Sequence, residues 1–189
     1  MEYRINRRTG DKISVIGMGA SSISQAGKNE GVETLKLAFD NGINYFDLAA
    51  GDAECFSYYG KAFENIRDKI IYQIHFGANY ETGSYGWTTN LGKIKKSIAW
   101  QLEQLRTNYI DYGFIHCIDE ESDWEEYIEN GILDYIKELK NEGIVKHIGV
   151  SSHTPSLLQK ILNTGLIDMV MFSINPGYDY HQGDYANGN

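Results

Sequence analysis

Short apolar runs alternate along the chain with longer stretches in which apolar residues return every three or four positions. The runs "KISVIGMG" (12–19), "INYFD" (43–47), "KIIYQIHF" (69–76), "YIDYGFIH" (109–116), "VKHIGVSS" (145–152) and "IDMVMFSIN" (167–175) have the length of buried strands. Between them, "EGVETLKLAFDNG" sets Val32, Leu35 and Phe39 on one helical face and stops at Asn41-Gly42, a C-terminal signal. "ECFSYYGKAFEN" (54–65) reads as a helix. "TNLGKIKKSIAWQLEQLRT" spaces Leu91, Ile94, Ile98, Leu102 and Leu105 as a helix does, with Thr89 or Asn90 as its cap. "ESDWEEYIENGILDYIKELKNEG" (121–143) predicts one helix closing on Gly143, and "TPSLLQKILNTG" a helix with Pro155 near its first position.

Six strands, each followed by a helix, imply parallel strands joined by right-handed crossovers. A doubly wound sheet and a (β/α)8 barrel both produce this order, and periodicity does not separate them. In either, reactive groups belong at the carboxyl ends of the strands. The residues there are Asp47, His75, His116 and His153, with Ser151 and Ser152. Asp47 follows a buried run and has Asp52 five residues on. An unpaired imidazole directly after the apolar "YGFI" is costly to bury, which marks His116 for function.

With 189 residues and no linker-like tract, one domain with a sizeable core is expected, spanning 1–189. The balance of 17 basic against 26 acidic residues, net −9, argues against a nucleic-acid or anionic-membrane surface. The two cysteines, Cys55 and Cys117, have no CxxC spacing, so neither a disulfide framework nor a zinc ribbon is indicated and a reducing cytoplasm is expected. "MEYRINRRTG" lacks the apolar centre of a signal peptide. "GMGASS" from Gly17 is a poor dinucleotide fingerprint, because Ser22 occupies the third glycine position. Tyr58, Tyr59, Tyr80 and Tyr85 are each candidates to supply a phenol as proton donor, although most of the 14 tyrosines are needed for packing.

Six motifs in register, "YRINRRTGDKISVIGMG", "NGINYFDLA", "IRDKIIYQIHF", "LRTNYIDYGFIHCID", "KNEGIVKHIGVSSH" and "MVMFSINP", resemble the aldo/keto reductase family from about Tyr3 to Asn175. The resemblance implies a (β/α)8 barrel, an opening hairpin over Tyr3–Ile16 that closes its floor, and reduction of aldehydes and ketones with NADPH by an Asp, Tyr, Lys and His tetrad. Asp47 and His116 fall on the family's aspartate and histidine. Asp52 stands where the tyrosine is expected and His75 where the lysine is expected. On the cofactor side, Ser151 matches, Ser152 replaces an asparagine and Met171 replaces a glutamine, and Gly19 ends the first run beside them. The chain is most similar to a clostridial-type branch that often carries a ferredoxin-like domain, so an iron–sulfur cluster is expected only in a longer protein. The barrel is expected to be incomplete, with strands seven and eight and their phosphate-binding loops absent before the tail "GYDYHQGDYANGN".

The resulting expectation is an NAD(P)H-dependent oxidoreductase acting on a carbonyl/alcohol pair of a small molecule, with an altered tetrad. Asp47, Asp52, His75 and His116 would converge in one cleft, with Asp47 holding a cationic His75 and His116 free as a hydrogen-bond donor. Two other readings use the same residues: a metal-dependent hydrolase or lyase, with His153 added to the ligands, and a non-catalytic binding protein on the same fold. Open sheet edges predict self-association. Because phosphate contacts supply much of dinucleotide affinity, this chain is expected to bind NADP weakly, and a longer chain restoring the last two strands markedly better. Submicromolar binding by the 189-residue chain in calorimetry overturns that expectation.

Overall fold

The structure is a computed structural model that describes residues 1–174. An antiparallel hairpin opens it, β1 (Tyr3–Ile5) against β2 (Lys12–Ser14). The main sheet then collects β3 (Met18–Gly19), β4 (Tyr45–Asp47), β5 (Ile71–Phe76), β8 (Ile110–Ile115), β9 (Val145–Ser151) and β10 (Met169–Met171). Their order is β10-β9-β8-β5-β4-β3, and every pairing is parallel. The helices are α1 (Ser21–Gln25), α2 (Lys28–Asp40), α3 (Cys55–Phe63), α4 (Leu91–Gln104), α5 (Glu121–Glu129), α6 (Ile132–Asn141) and α7 (Pro155–Leu162). A second small hairpin, β6 (Ala78–Asn79) with β7 (Gly86–Trp87), leaves the carboxyl end of β5. No helix of the described residues is long and apolar enough to cross a membrane.

Side chains crossing the interior distinguish a curved sheet from a flat one. Strand β4 is separated from β10 by β5, β8 and β9, which in a flat sheet would hold them roughly 19 Å apart. Yet the Tyr45 hydroxyl lies 3.4 Å from Met169 Sδ. Gln73 on β5 likewise reaches Met171 Sδ at 3.8 Å. The sheet is therefore a trough, six strands of an incomplete (β/α)8 barrel. The first hairpin lies across its floor. There Tyr112 OH donates to Asp11 Oδ2 at 2.6 Å, Thr9 Oγ1 is 2.8 Å from the same hydroxyl, and His147 Nε2 is 3.2 Å from Asp11 Oδ2.

Three local expectations are corrected. The run 12–19 forms two strands, because the chain leaves the hairpin after Ser14 and crosses to the barrel wall, exposing Val15 (45%) and Ile16 (56%) on the way. The stretch 121–143 forms two helices, broken at Gly131, whose φ of 72° ends the first and opens the second. The run 167–175 is a strand only over Met169–Met171, and the tail "GYDYHQGDYANGN" lies outside the described residues. The cap of α4 is Asn90, whose side chain accepts the Lys93 N–H.

The outer layer is aromatic. Phe46 and Tyr72 on the strands pack with Tyr59 and Phe63 on α3, ring centroids 4.8–6.4 Å apart. Tyr59 and Phe63 belong to this layer, so α3 presses close to α4. A Cβ placed on Gly60 would come within 2.0 Å of the Gln104 carbonyl oxygen. Gly60→Ala must push two helices apart, and the expected loss is about 2 kcal/mol or more in urea unfolding. An unchanged midpoint would mean that α3 and α4 do not approach this closely.

Candidate active site

Strand residues alternate between the two faces of a sheet, so Tyr45 and Asp47 on β4 share the inner face, as do Gln73 and His75 on β5. Register sets their heights: Asp47 pairs with Gln73, and His75 with Phe114. Asp47 Oδ1 stands 2.6 Å from His75 Nε2 and also accepts the Ala49 N–H at 3.2 Å. A carboxylate only accepts, so Nε2 carries the proton of that pair. The Gln73 amide lies 3.0 Å from the same nitrogen, and Tyr45 OH donates to Gln73 Oε1. His75 Nδ1 is buried with no hydrogen-bond partner among the described residues, an arrangement that costs about 1–3 kcal/mol.

His116 follows β8 by one residue. Its ring meets His75 edge-on, centroids 4.5 Å apart at 72°. Burial, and then the neighbouring His75, push its imidazole down to about 3, so it is neutral at physiological pH. Its Nε2 is 2.8 Å from the Tyr85 hydroxyl. Burial, with Cys117 nearby, pushes that phenol up to about 12, so the phenol keeps its proton and donates it to Nε2. His116 then carries its own proton on Nδ1, which faces Ser151 Oγ at 3.5 Å. The backbone turns sharply after His116, with Cys117 at φ 50°, and the Cys117 N–H reaches Ser151 Oγ at 2.9 Å. Trp87 Nε1 donates to the His116 carbonyl at 3.3 Å.

Asp47, His75, His116 and Ser151 are thus brought together, and Tyr85, one of the four tyrosines the sequence offers as a proton-donating phenol, joins them. Asp52 is engaged elsewhere. Its Oδ1 accepts the Glu54 N–H at 3.1 Å where α3 begins, and its backbone bridges Ser84 on the β6–β7 loop. His116 is not left free as a donor, because Tyr85 holds it. His153 is tied to the loop that follows β8, with Nδ1 2.9 Å from Asp119 Oδ2 and its N–H on Asp119 Oδ1 at 2.6 Å. Tyr59 does not enter the cleft; its ring lies in the outer layer, and its hydroxyl donates to the Gly19 carbonyl at 3.4 Å.

On the cofactor side, the position of a Cβ on Gly19 meets nothing within 4 Å, which leaves the wall open beside Asp47. Met171 is half-buried, with its sulfur on Gln73. The Ser152 hydroxyl serves its own loop, accepting the Thr154 N–H at 3.0 Å. No group of three or more His, Cys, Asp or Glu among the described residues is placed to hold a metal ion, which the hydrolase and lyase reading requires.

A parallel barrel sector with polar groups gathered at the carboxyl ends of its strands has the layout of a barrel enzyme. Residues 15–176 match the sequence profile of the Aldo/keto reductase family, and the chain belongs to that family. It is 31% identical over 169 residues to an uncharacterized oxidoreductase of Bacillus subtilis (strain 168), covering 86% of this chain and 53% of the relative. It is 27% identical over 190 residues to the L-galactose dehydrogenase of Arabidopsis thaliana, covering 90% and 56%. An aldo-keto reductase from Bacillus halodurans in its holo form superposes with a TM-score of 0.75 at 25% identity, covering 92% of this chain and 58% of that one. The chain therefore spans about half the length of the curated relatives it matches.

The depressed His116 makes stability depend on pH in a defined direction. Between 6.5 and about 3 the unfolded chain binds a proton there that the folded chain does not. Stability from this group is full above pH 6.5 and falls as pH drops toward 3, at up to about 1.4 kcal/mol per pH unit. In urea unfolding across that window, His116→Gln should show the shallower decline. An equally steep decline in both proteins would place the acid sensitivity elsewhere.

Proposed function

We propose that this chain carries the reactive part of an NAD(P)H-dependent reductase of small aldehydes or ketones, working with an altered set of catalytic residues. The observation that carries the reading is the run of contacts Asp47–His75–His116 across the carboxyl ends of three neighbouring strands. Asp47 fixes the orientation of His75 through a 2.6 Å contact, and His75 and His116 are themselves buried at the carboxyl ends of their strands. His116, being neutral, adds no charge to the cleft, and its Nε2 holds the Tyr85 hydroxyl there.

The residues present suit the nicotinamide end of the cofactor. Ser151 Oγ and the sulfur of Met171 face the interior, and the wall at Gly19 is open. When bound, reduced nicotinamide supplies the hydride. Ser151, Met171 and Gly19 would border the ring, while Ser152 shapes the loop before α7 rather than offering its hydroxyl. Asp52 belongs to the structure of the loop before α3.

The test is a panel of small aldehydes and ketones with NADPH, using a protein long enough to complete the barrel. The wild type should oxidise NADPH, and Asp47→Asn should lower kcat by about tenfold or more while leaving NADPH affinity within about threefold. Absence of turnover across the panel, or an Asp47→Asn variant as fast as wild type, sinks the reading.

A further inference from the structure

Building on that reading, we propose that Tyr85, on the β6–β7 hairpin, is the proton donor of the reaction. Adding hydride to a carbonyl carbon leaves negative charge on its oxygen, and some group must neutralise it. His116 is the neutral imidazole at neutral pH, without the acidic second proton of an imidazolium, and the proton it keeps faces Ser151. The Cys117 thiol lies 3.6 Å from His116 Nε2 with its ionisation pushed up to about 11, first by burial and then by Asp119, and it is also hydrogen-bonded to the Ser151 side chain. Asp52 is committed to the start of α3. Tyr85 has a hydroxyl proton inside the cleft, 2.8 Å from His116 Nε2.

The position of that phenol is imposed from several sides. The Tyr85 N–H donates to the Gly51 carbonyl at 3.0 Å, and the Ala53 N–H donates to the Gly83 carbonyl at 2.9 Å. Asp52 bridges Ser84 between them, so the hairpin tip is docked onto the loop after β4. Two residues further on, Trp87 Nε1 holds the His116 carbonyl. The ring stands edge-on to His116, with centroids 5.9 Å apart at 81°, and packs against Tyr80 at 6.3 Å. Tyr85 is also 42% exposed, so the same side chain touches both the cleft and solvent.

The step balances. The carbonyl carbon gains hydrogen and an electron pair from the reduced nicotinamide, which is oxidised. The C=O π pair moves to oxygen, the Tyr85 O–H bond breaks, and its proton forms the alcohol. The phenolate then takes a proton from water at its exposed edge. No ammonium is placed beside Tyr85 among the described contacts to ease its ionisation, so this acid remains protonated through neutral pH.

Tyr85→Phe in the barrel-completing protein should lower kcat by about a hundredfold or more, with KM and NADPH affinity changed less than about threefold. Independently of turnover, the His116 Nε2 resonance in nitrogen NMR should shift in Tyr85→Phe as its hydrogen bond is lost, and the Tyr85 Cζ resonance in wild type should show no ionisation at neutral pH. If wild type reduces carbonyl compounds and Tyr85→Phe does so equally well, the Tyr85 assignment falls and the reductase reading stands. An unshifted His116 resonance also overturns the assignment. If wild type itself consumes no NADPH, the reductase reading falls and the donor role with it.

Discussion

The curl of the sheet is the constraint on which the cleft depends. Parallel strands set side by side would spread Asp47, His75, His116 and Ser151 along a flat edge. Curvature turns the inner faces toward one another, and it is held by side chains in the middle of the strands: Tyr45 and Gln73 on one side, Met169 and Met171 on the other. Methionine suits that place, because an unbranched thioether fills an irregular interior and still accepts a weak hydrogen bond. Below this layer the hairpin closes the floor through Tyr112 and Asp11, and above it stand Asp47 and His75. Strand register ties these layers together. A slip of one residue in β5 would send Gln73 and His75 to the outer face together, removing both the middle and the top of the trough.

Burial then decides the chemistry of the upper layer. An imidazole facing water would titrate near neutrality, whereas His116 is held neutral far below that by loss of solvation and by the ring of His75. The unpartnered Nδ1 of His75 is a cost that a purely structural core would remove by substitution. The half-exposed rings of Tyr85 and Trp87 leave the mouth apolar but open.

Much of this was legible in the residues because apolar periodicity reports burial, and burial dominates strands such as β5, β8 and β9. The inward-facing acid and imidazoles could be placed at strand ends for the same reason. Tyr85 was legible only as one of four candidate phenols, with Tyr58, Tyr59 and Tyr80, and nothing ranked it above them. Its hairpin consists of two strands of two residues each, with "ETGSYGW" around it and no apolar run, so nothing in the pattern separates it from an ordinary loop. Among 14 tyrosines, a phenol gains meaning only from what it touches. The break at Gly131 was hidden for a different reason, since a glycine between two amphipathic segments reads equally as a tolerated interior residue and as a stop.

Asp52 shows why residue identity at one aligned position is a poor guide to what fills the matching space. Its side chain turns to the start of α3 and takes up the Glu54 N–H there, as a short acidic side chain does readily. That leaves the backbone of 51–53 free to bond Tyr85, Gly83 and Ser84. A large ring at residue 52 would compete with the hairpin for the same place over the cleft, whereas a compact aspartate lets the hairpin dock and deliver a ring from the other side. The compact residue leaves room, the hairpin occupies it, and the Tyr85 hydroxyl meets His116 from there.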